Sequence, residues 1–457
     1  MALSDLTLDT RAQHLRDTLG DRVILPGDPE YDVVRVPWNV AVDQRPFAVA
    51  RPVTVEDAID VVRAAVAADL RIAPQATGHA AGALADSDLS DTVVVSLAAL
   101  RGVTVDVAAQ TAIVMGGSIW NDVIVEAAAH GLTALHGSAG DVGVVGYSLS
   151  GGLSFYARAH GLAVNDVRAV HVVGADGRLV RASADENADL FWALRGGSGA
   201  FGVVVSIEIA LRPIADVVAG MLLWDASRAA DVSRAWARWT GSAPETATTT
   251  LRIMNFPPIP DLPPFLSGRS VVVIDGAILE TDAAASALLA PLRHLQPEID
   301  TFARIPAAGL VAVHMDPPGP TPAATAHSVL GSLPPDAVDR FVEVGSRPGM
   351  FIAELRHLGG AIGRRPEGAG AVATIEGAYV FHAIAVVPAP EAAAAAHGAV
   401  WAGVAALEQW RADALALTFV DGGGVDRTSG FGGSLERLRD LRRRFDPAGV
   451  FVAAHQP

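Results

Sequence analysis

Two glycine-rich segments inside one α+β stretch, Gly137 to Glu208, constrain this chain more than any other feature. The first is Gly146-Tyr147-Ser148-Leu149-Ser150-Gly151-Gly152-Leu153, followed by Gly161-Leu162-Ala163-Val164-Asn165-Asp166. The second, Gly196 to Gly202, lies between an amphipathic helix (Asp189 to Leu194) and a β-branched run from Val203. Between them a strand, an Asp176-Gly177 turn and another strand can be read. Glycine reaches positive φ and lets the backbone approach a ligand, so the pair of turns suits a large phosphate-bearing cofactor.

Two familiar motifs fail on context. Gly197-Ser198-Gly199-Ala200-Phe201-Gly202 fits G-x-G-x-x-G, but the dinucleotide fingerprint needs a strand before it and a helix after it. Here that order is reversed. Gly146-Tyr147-Ser148-Leu149-Ser150 approaches the nucleophile elbow G-x-S-x-G, yet its last position is Ser. A hydrolase also needs a buried acid and a His after a parallel-sheet pattern, so this reading ranks third.

Composition removes other classes. The chain of 457 residues has room for two substantial domains, and its 51% hydrophobic and 18% charged content is that of a folded protein. The net charge of −16 arises with no lysine in the chain. Such acidity argues against nucleic-acid or membrane-surface partners. With no cysteine, disulfides, thiolate metal sites and thiol nucleophiles are excluded, and no metal site is expected. The start of the chain lacks the basic and apolar blocks of a leader, and no apolar run is long enough to cross a bilayer, so the expected location is cytoplasmic.

Residues 1–40 read as a lead-in with a helix from Thr10 to Leu19 and a loop ending near Trp38. A β-α-β unit follows, with Thr54 as N-cap of the helix Ala58 to Ala68 and a returning strand from Arg71. It runs into Gln75-Ala76-Thr77-Gly78-His79-Ala80-Ala81-Gly82, a loop of small residues around one histidine. None of its sequence neighbours Gly78, Ala80, Ala81 and Gly82 is large enough to fill the space beside the His79 ring. Such a loop can wrap a pyrophosphate while the imidazole bonds the ligand directly. Strands at Val93 to Leu97, Gly102 to Val107 and Thr111 to Gly117 precede a helix, Ile119 to His130, that stops at Gly131.

Taken together these pieces resemble the flavin-dependent oxidases of the vanillyl-alcohol-oxidase superfamily, and within it the berberine-bridge-enzyme-like branch. The matching residues are Thr77-Gly78-His79, Val142-Gly143-Val144-Val145-Gly146-Tyr147, Ser150-Gly151-Gly152-Leu153 and Asp189-Leu190-Phe191-Trp192-Ala193-Leu194-Arg195-Gly196-Gly197. Phe445-Asp446-Pro447-Ala448-Gly449-Val450-Phe451 fits late in the chain. The resemblance implies an α+β fold: a lead-in (1–40), a bipartite FAD-binding domain of two α+β lobes (41–213), a substrate domain of antiparallel sheet backed by helices (214–405), and a C-terminal segment returning to the FAD domain (406–457). Runs Val217 to Trp224, Thr248 to Asn255, Ser270 to Ile278 and Phe351 to Leu358 read as the strands of that sheet on their own pattern. Carried over by residue, His79 is the covalent attachment point to the flavin, and Gln75, Ala76, Thr77, Gly78 and Ala80 surround the pyrophosphate and ring. Val142, Gly143, Gly146, Tyr147, Gly151 and Gly152 line the dinucleotide, with Gly202 and Val203 near the ring or adenine end. Ser138 after His136-Gly137 leaves no second tether.

The implied chemistry is hydride transfer from a small-molecule substrate (an alcohol, sugar or secondary metabolite) to FAD, with dioxygen as acceptor and hydrogen peroxide as product. The family's Tyr-x-Asn base motif is replaced here by Ala416-Leu417-Thr418-Phe419. Substitute bases are His382 and Tyr379 on one strand, with His314, in a Pro-rich loop, and Glu354 behind them. Period-two alternation puts Tyr379 and His382 on opposite faces, so only one can face the flavin. The missing motif also leaves open an FAD-binding tailoring enzyme with non-oxidase chemistry, of cyclase or isomerase type, or a degenerate flavin binder.

Overall fold

Thr54 caps the helix Val55–Ala67 through a reciprocal box: its hydroxyl accepts from the Asp57 N–H at 3.1 Å while the Asp57 carboxylate accepts from the Thr54 N–H at 3.0 Å. That helix packs on a four-stranded sheet in the order Val23–Ile24, Ala48–Ala50, Thr92–Ser96, Arg71–Gln75. A computed structural model describes residues 3–84, 87–260, 262–317 and 319–457, with side chains from Thr10 onward. Within the Pro-rich loop after His314, Pro318 lies outside the described residues.

A second lobe is built on a five-stranded antiparallel sheet, ordered Val103–Asp106, Thr111–Met115, Val203–Ala210, Val167–Val173, Leu179–Ser183. The first glycine segment, read from sequence as a turn, is instead partly helical, with Val144–Leu149 forming a short helix whose Val144, Val145 and Leu149 are buried. The helix Ala188–Gly197 breaks at Arg195 and Gly196, where Gly196 takes φ 136°. The two lobes meet closely at Gly117. A Cβ there would overlap the Leu97 carbonyl.

The largest sheet has eight strands, all antiparallel, along the path Ile299–Asp300, Asp216–Asp225, Ser270–Ile278, Ala247–Asn255, Ile352–His357, Tyr379–Val386, Ala323–Leu330, with Ala303–Pro306 beside Asp216–Asp225. Helices Ala229–Thr240, Asp282–Arg293, Pro335–Gly345 and Ala393–Ala406 cover one face. Leu251, Ile253, Ala353, Leu355, Phe381 and Ala383 point into that layer, where Trp236 Nε1 donates to Thr249 Oγ1 at 3.0 Å. The intervening residues Arg252, Glu354, Arg356 and His382 consequently share the opposite face. The end of the chain returns to the first lobe: Val452 N–H donates to the Ile72 carbonyl at 2.8 Å, and Phe451 is fully buried there. Among the described residues no helix is long and apolar enough to cross a membrane.

The close approach at Gly117 and the buried histidines each have a measurable effect on stability. Gly117→Ala is expected to destabilise the protein by about 3 kcal/mol or more, because backbone rather than a movable side chain blocks the methyl. Gly398→Ala, in open space within the helix Ala393–Ala406, should instead stabilise by about 0.5–1 kcal/mol. Urea unfolding of both variants checks the contrast. The second concerns acid. Burial, together with nearby positive charge, pushes His327, His357 and His455 each down to about 3. In the unfolded chain they titrate near pH ~6.5, so below that the unfolded state binds more protons and stability falls, by about 1.4 kcal/mol per pH unit for each group. His314, which is raised, offsets part of this. The melting temperature should therefore drop between about pH 6.5 and 5; a rise on acidification would contradict the buried neutral imidazoles.

Candidate FAD and substrate site

The polar face of the large sheet, the His79 loop and the short helix Val144–Leu149 enclose one cleft. It holds about 1570 Å³ of non-atom space, its open mouth included. Its walls include Gln75, Ala76, Thr77, Gly78, His79 and Ala80 from one lobe. Val142, Gly143, Gly146, Tyr147 and Gly202 come from the other, and Arg356, His382 and Phe419 from the far side.

Local backbone needs explain the small residues. Gly78 adopts φ 82°, and a Cβ on it would lie 2.7 Å from Pro37 Cβ. Gly82 passes so close to Asp421 that a methyl would overlap its carbonyl. A Cβ at Gly146 would meet open space, because that backbone faces the cleft. Three expected cofactor contacts differ in place. Gly151 and Gly152 lie beneath the wall: a Cβ on Gly152 would sit 2.5 Å from the Tyr147 ring, so Gly152 seats Tyr147, while Gly151 faces Val372 and Leu162. Val203 points away into the first lobe's core, fully buried, and alternation brings Val204 to the cleft in its place.

His79 stacks on Trp38, with ring centroids 4.1 Å apart and planes inclined by 24°. Its Nε2 lies 3.7 Å from Asp141 Oδ1, while Trp38 Nε1 donates to Asp141 Oδ2 at 2.6 Å. Burial lowers the His79 pKa against the opposing charge of Asp141, which keeps the ring neutral and nucleophilic. Neither Trp38 nor Asp141 was legible as a site residue: they stand 103 residues apart in sequence.

The far wall carries a buried charge network. Arg252 and Asp275, with side chains 2% and 0% exposed, form an ion pair. Thr250 donates to the same carboxylate. His314 Nδ1 lies 3.0 Å from Asp275 Oδ2, and its Nε2 lies 3.7 Å from Glu354 Oε1. Glu354 pairs with Arg356, and His382 Nδ1 lies 3.8 Å from Glu354 Oε2. Burial pushes the Glu354 carboxyl up, but Arg356 and His314 outweigh it and hold it well below the usual range. For His314, burial and Arg252 disfavour the charged ring; Asp275, Asp316 and Glu354 prevail and raise it. Of the four proposed bases, His382 alone lines the cleft, with Glu354 and His314 directly behind it. Tyr379 departs from that role. It faces the helix layer, where its hydroxyl bonds Thr240 Oγ1 at 2.6 Å and its ring stacks on His357. Arg356 was missed, although it stands two residues after Glu354 on the same strand face. Phe419 lies edge-on to His382, with centroids 5.2 Å apart, and under the Arg356 guanidinium at 5.0 Å.

The residues present fit FAD. His79 Nε2, Gln75 Oε1, Tyr147 Oη, Asp141 Oδ1 and His382 Nδ1 are buried without hydrogen-bond partners, and all belong to residues in or against the cleft. Among the described residues no cluster of His, Asp and Glu is arranged to hold a metal ion.

Comparison with known proteins agrees. Residues 46–183 match the family of FAD binding domains. Over 203 residues the chain is 34% identical to (R)-6-hydroxynicotine oxidase of Paenarthrobacter nicotinovorans, covering 44% of each protein. Over 173 residues it is 36% identical to xylooligosaccharide oxidase of Thermothelomyces thermophilus, covering 38% of this chain and 35% of that one. The chain thus matches less than half the length of these curated relatives. In fold it superposes on a berberine-bridge-enzyme-like protein of Physcomitrella patens with a TM-score of 0.82, at 19% identity over 98% of both chains. The structure of 6-hydroxy-D-nicotine oxidase from Arthrobacter nicotinovorans gives 0.80, at 21% identity over 95% of this chain and 96% of that one. Residues 46–183 thus carry the signature of an FAD binding domain, and the whole chain has the fold of berberine-bridge-enzyme-like proteins.

Proposed function

We propose that this protein oxidises a small organic molecule (an alcohol, a sugar or a secondary metabolite) using FAD bound covalently through His79. The observation that carries the reading is the opposition of His79 and His382 across one cleft, with a half-buried carboxylate, Asp141, behind the first and a buried one, Glu354, behind the second. Bound FAD supplies a two-electron acceptor for substrate hydride, and dioxygen takes those electrons on as hydrogen peroxide. Gln75 to Ala80 and Gly143 to Tyr147 hold the dinucleotide. His382 takes the proton of the substrate hydroxyl, and ionised Glu354 beside it stabilises the imidazolium that results. Arg356 sets a positive charge on the same wall, where negative charge develops on the substrate oxygen. Phe419 covers Arg356 and His382 and limits water there.

Thr418 and Phe419 line the cleft in the segment where the family carries Tyr-x-Asn. That substitution favours, as a second reading, a flavoprotein whose tailoring chemistry consumes no dioxygen.

Two measurements separate these readings. After acid precipitation, wild-type protein should retain yellow colour in the pellet and His79→Ala should release it; equal release from both would remove the covalent link. Peroxide formation should then be screened over alcohols, oligosaccharides and phenolic metabolites. With an active substrate, His382→Ala is expected to lower kcat by about 10²–10⁴-fold. A variant as fast as wild type would discard His382 as the base, and absence of peroxide with every substrate would favour the second reading.

A further inference from the structure

We infer that Asp141, locked in place by Trp38, is the positioning residue that prepares His79 for its bond to the flavin. The inference rests on the covalent reading proposed above and specifies the apparatus behind it.

The two oxygens of Asp141 have different surroundings. Oδ2 is committed, accepting the Trp38 indole N–H at 2.6 Å. Oδ1 is turned toward His79 Nε2 at 3.7 Å, and both of these atoms are buried with no hydrogen-bond partner. A small rotation of the imidazole closes that gap. Trp38 also fixes the plane of the ring by stacking on it, and its own backbone N–H donates to the Thr77 carbonyl at 3.0 Å. Asp141 is held on the other side, where its neighbours Gly140 and Val142 accept hydrogen bonds from Asn121 at 2.8 Å and Trp120 at 3.1 Å. The carboxylate is thus rigid, half-sheltered and aimed at one nitrogen. Asp316 is the other carboxylate whose charge reaches this ring.

A carboxylate beside Nε2 keeps the hydrogen on that nitrogen, which leaves the Nδ1 lone pair free. The bond-forming step balances as follows. One C–N bond forms between the His79 imidazole and the 8α carbon; one C–H bond of the 8α methyl and the imidazole N–H break. The two electrons and two protons released pass to dioxygen, giving one hydrogen peroxide. As the C–N bond forms, positive charge grows on the ring, and Asp141 both offsets it and receives the Nε2 proton.

The test compares wild type, Asp141→Asn and Trp38→Phe, each expressed and purified with FAD. The fraction of bound flavin that survives acid precipitation is measured, alongside the flavin absorbance of the native protein. Asp141→Asn is expected to bind FAD in the native state yet retain at least about tenfold less after acid, and Asp141→Glu to recover part of the loss. A merely structural role for Asp141 would lower native binding and acid retention together. Native Asp141→Asn with wild-type retention would overturn the inference. If that variant does not fold, Trp38→Phe decides: it preserves the stacked ring but removes the N–H, and a several-fold lower retention supports the inference while wild-type retention overturns it. Wild type that retains no flavin would instead refute the covalent reading itself.

Discussion

The register of the large antiparallel sheet is the constraint on which the site depends. Along Ala247–Asn255, Ile352–His357 and Tyr379–Val386, alternate residues face the helices or the cleft, and the pairing sets Arg252 opposite Glu354 and Glu354 opposite His382. A one-residue slip in any of these strands would drive charged groups into the layer of Trp236, Phe341 and Phe381 and expose leucines to the cleft. Correct folding and assembly of the polar wall are one event. The network is costly to desolvate, and it is tolerated because each carboxylate meets a guanidinium or an imidazole.

The opposite wall obeys a different rule. There the chain uses missing side chains: Gly78 against Pro37, Gly82 against Asp421, Gly117 against Leu97 and Gly152 against Tyr147 each permit an approach that a methyl would block. One wall is thus specified by charge placement and the other by close backbone contact. His79 belongs to the second wall but depends on a carboxylate and an indole from outside its loop.

Local pattern carried much of this into the sequence. The Thr54 cap, the β-branched strands and the His79 loop are short-range signals, and each is found where its pattern put it. Alternation also separated Tyr379 from His382 correctly, without telling which faced the cleft; that depends on where the helices pack. Legibility ended where partners are distant. Trp38 and Asp141, or Arg252 and Asp275, meet only after the sheets are assembled. Val203 and Val204 are equally apolar, so no composition signal distinguishes the wall residue from its buried neighbour. The glycines of Gly146 to Gly152 suggested a turn, but burial of Val144, Val145 and Leu149 stabilises a helical turn there.

The return of the chain end to the first lobe has a consequence for biosynthesis. Phe451 lies beside Ile72, and Asp421 closes on Gly82 in the His79 loop. Contacts of such long sequence separation cannot form while most of the chain is still in the ribosome, and they are slow to close afterwards. The loop that bears His79 therefore acquires its final shape only after synthesis has passed residue 421. The cleft is complete only once residue 421 has joined it, and a polypeptide interrupted before that point would leave the ribosome with the cleft open on one side.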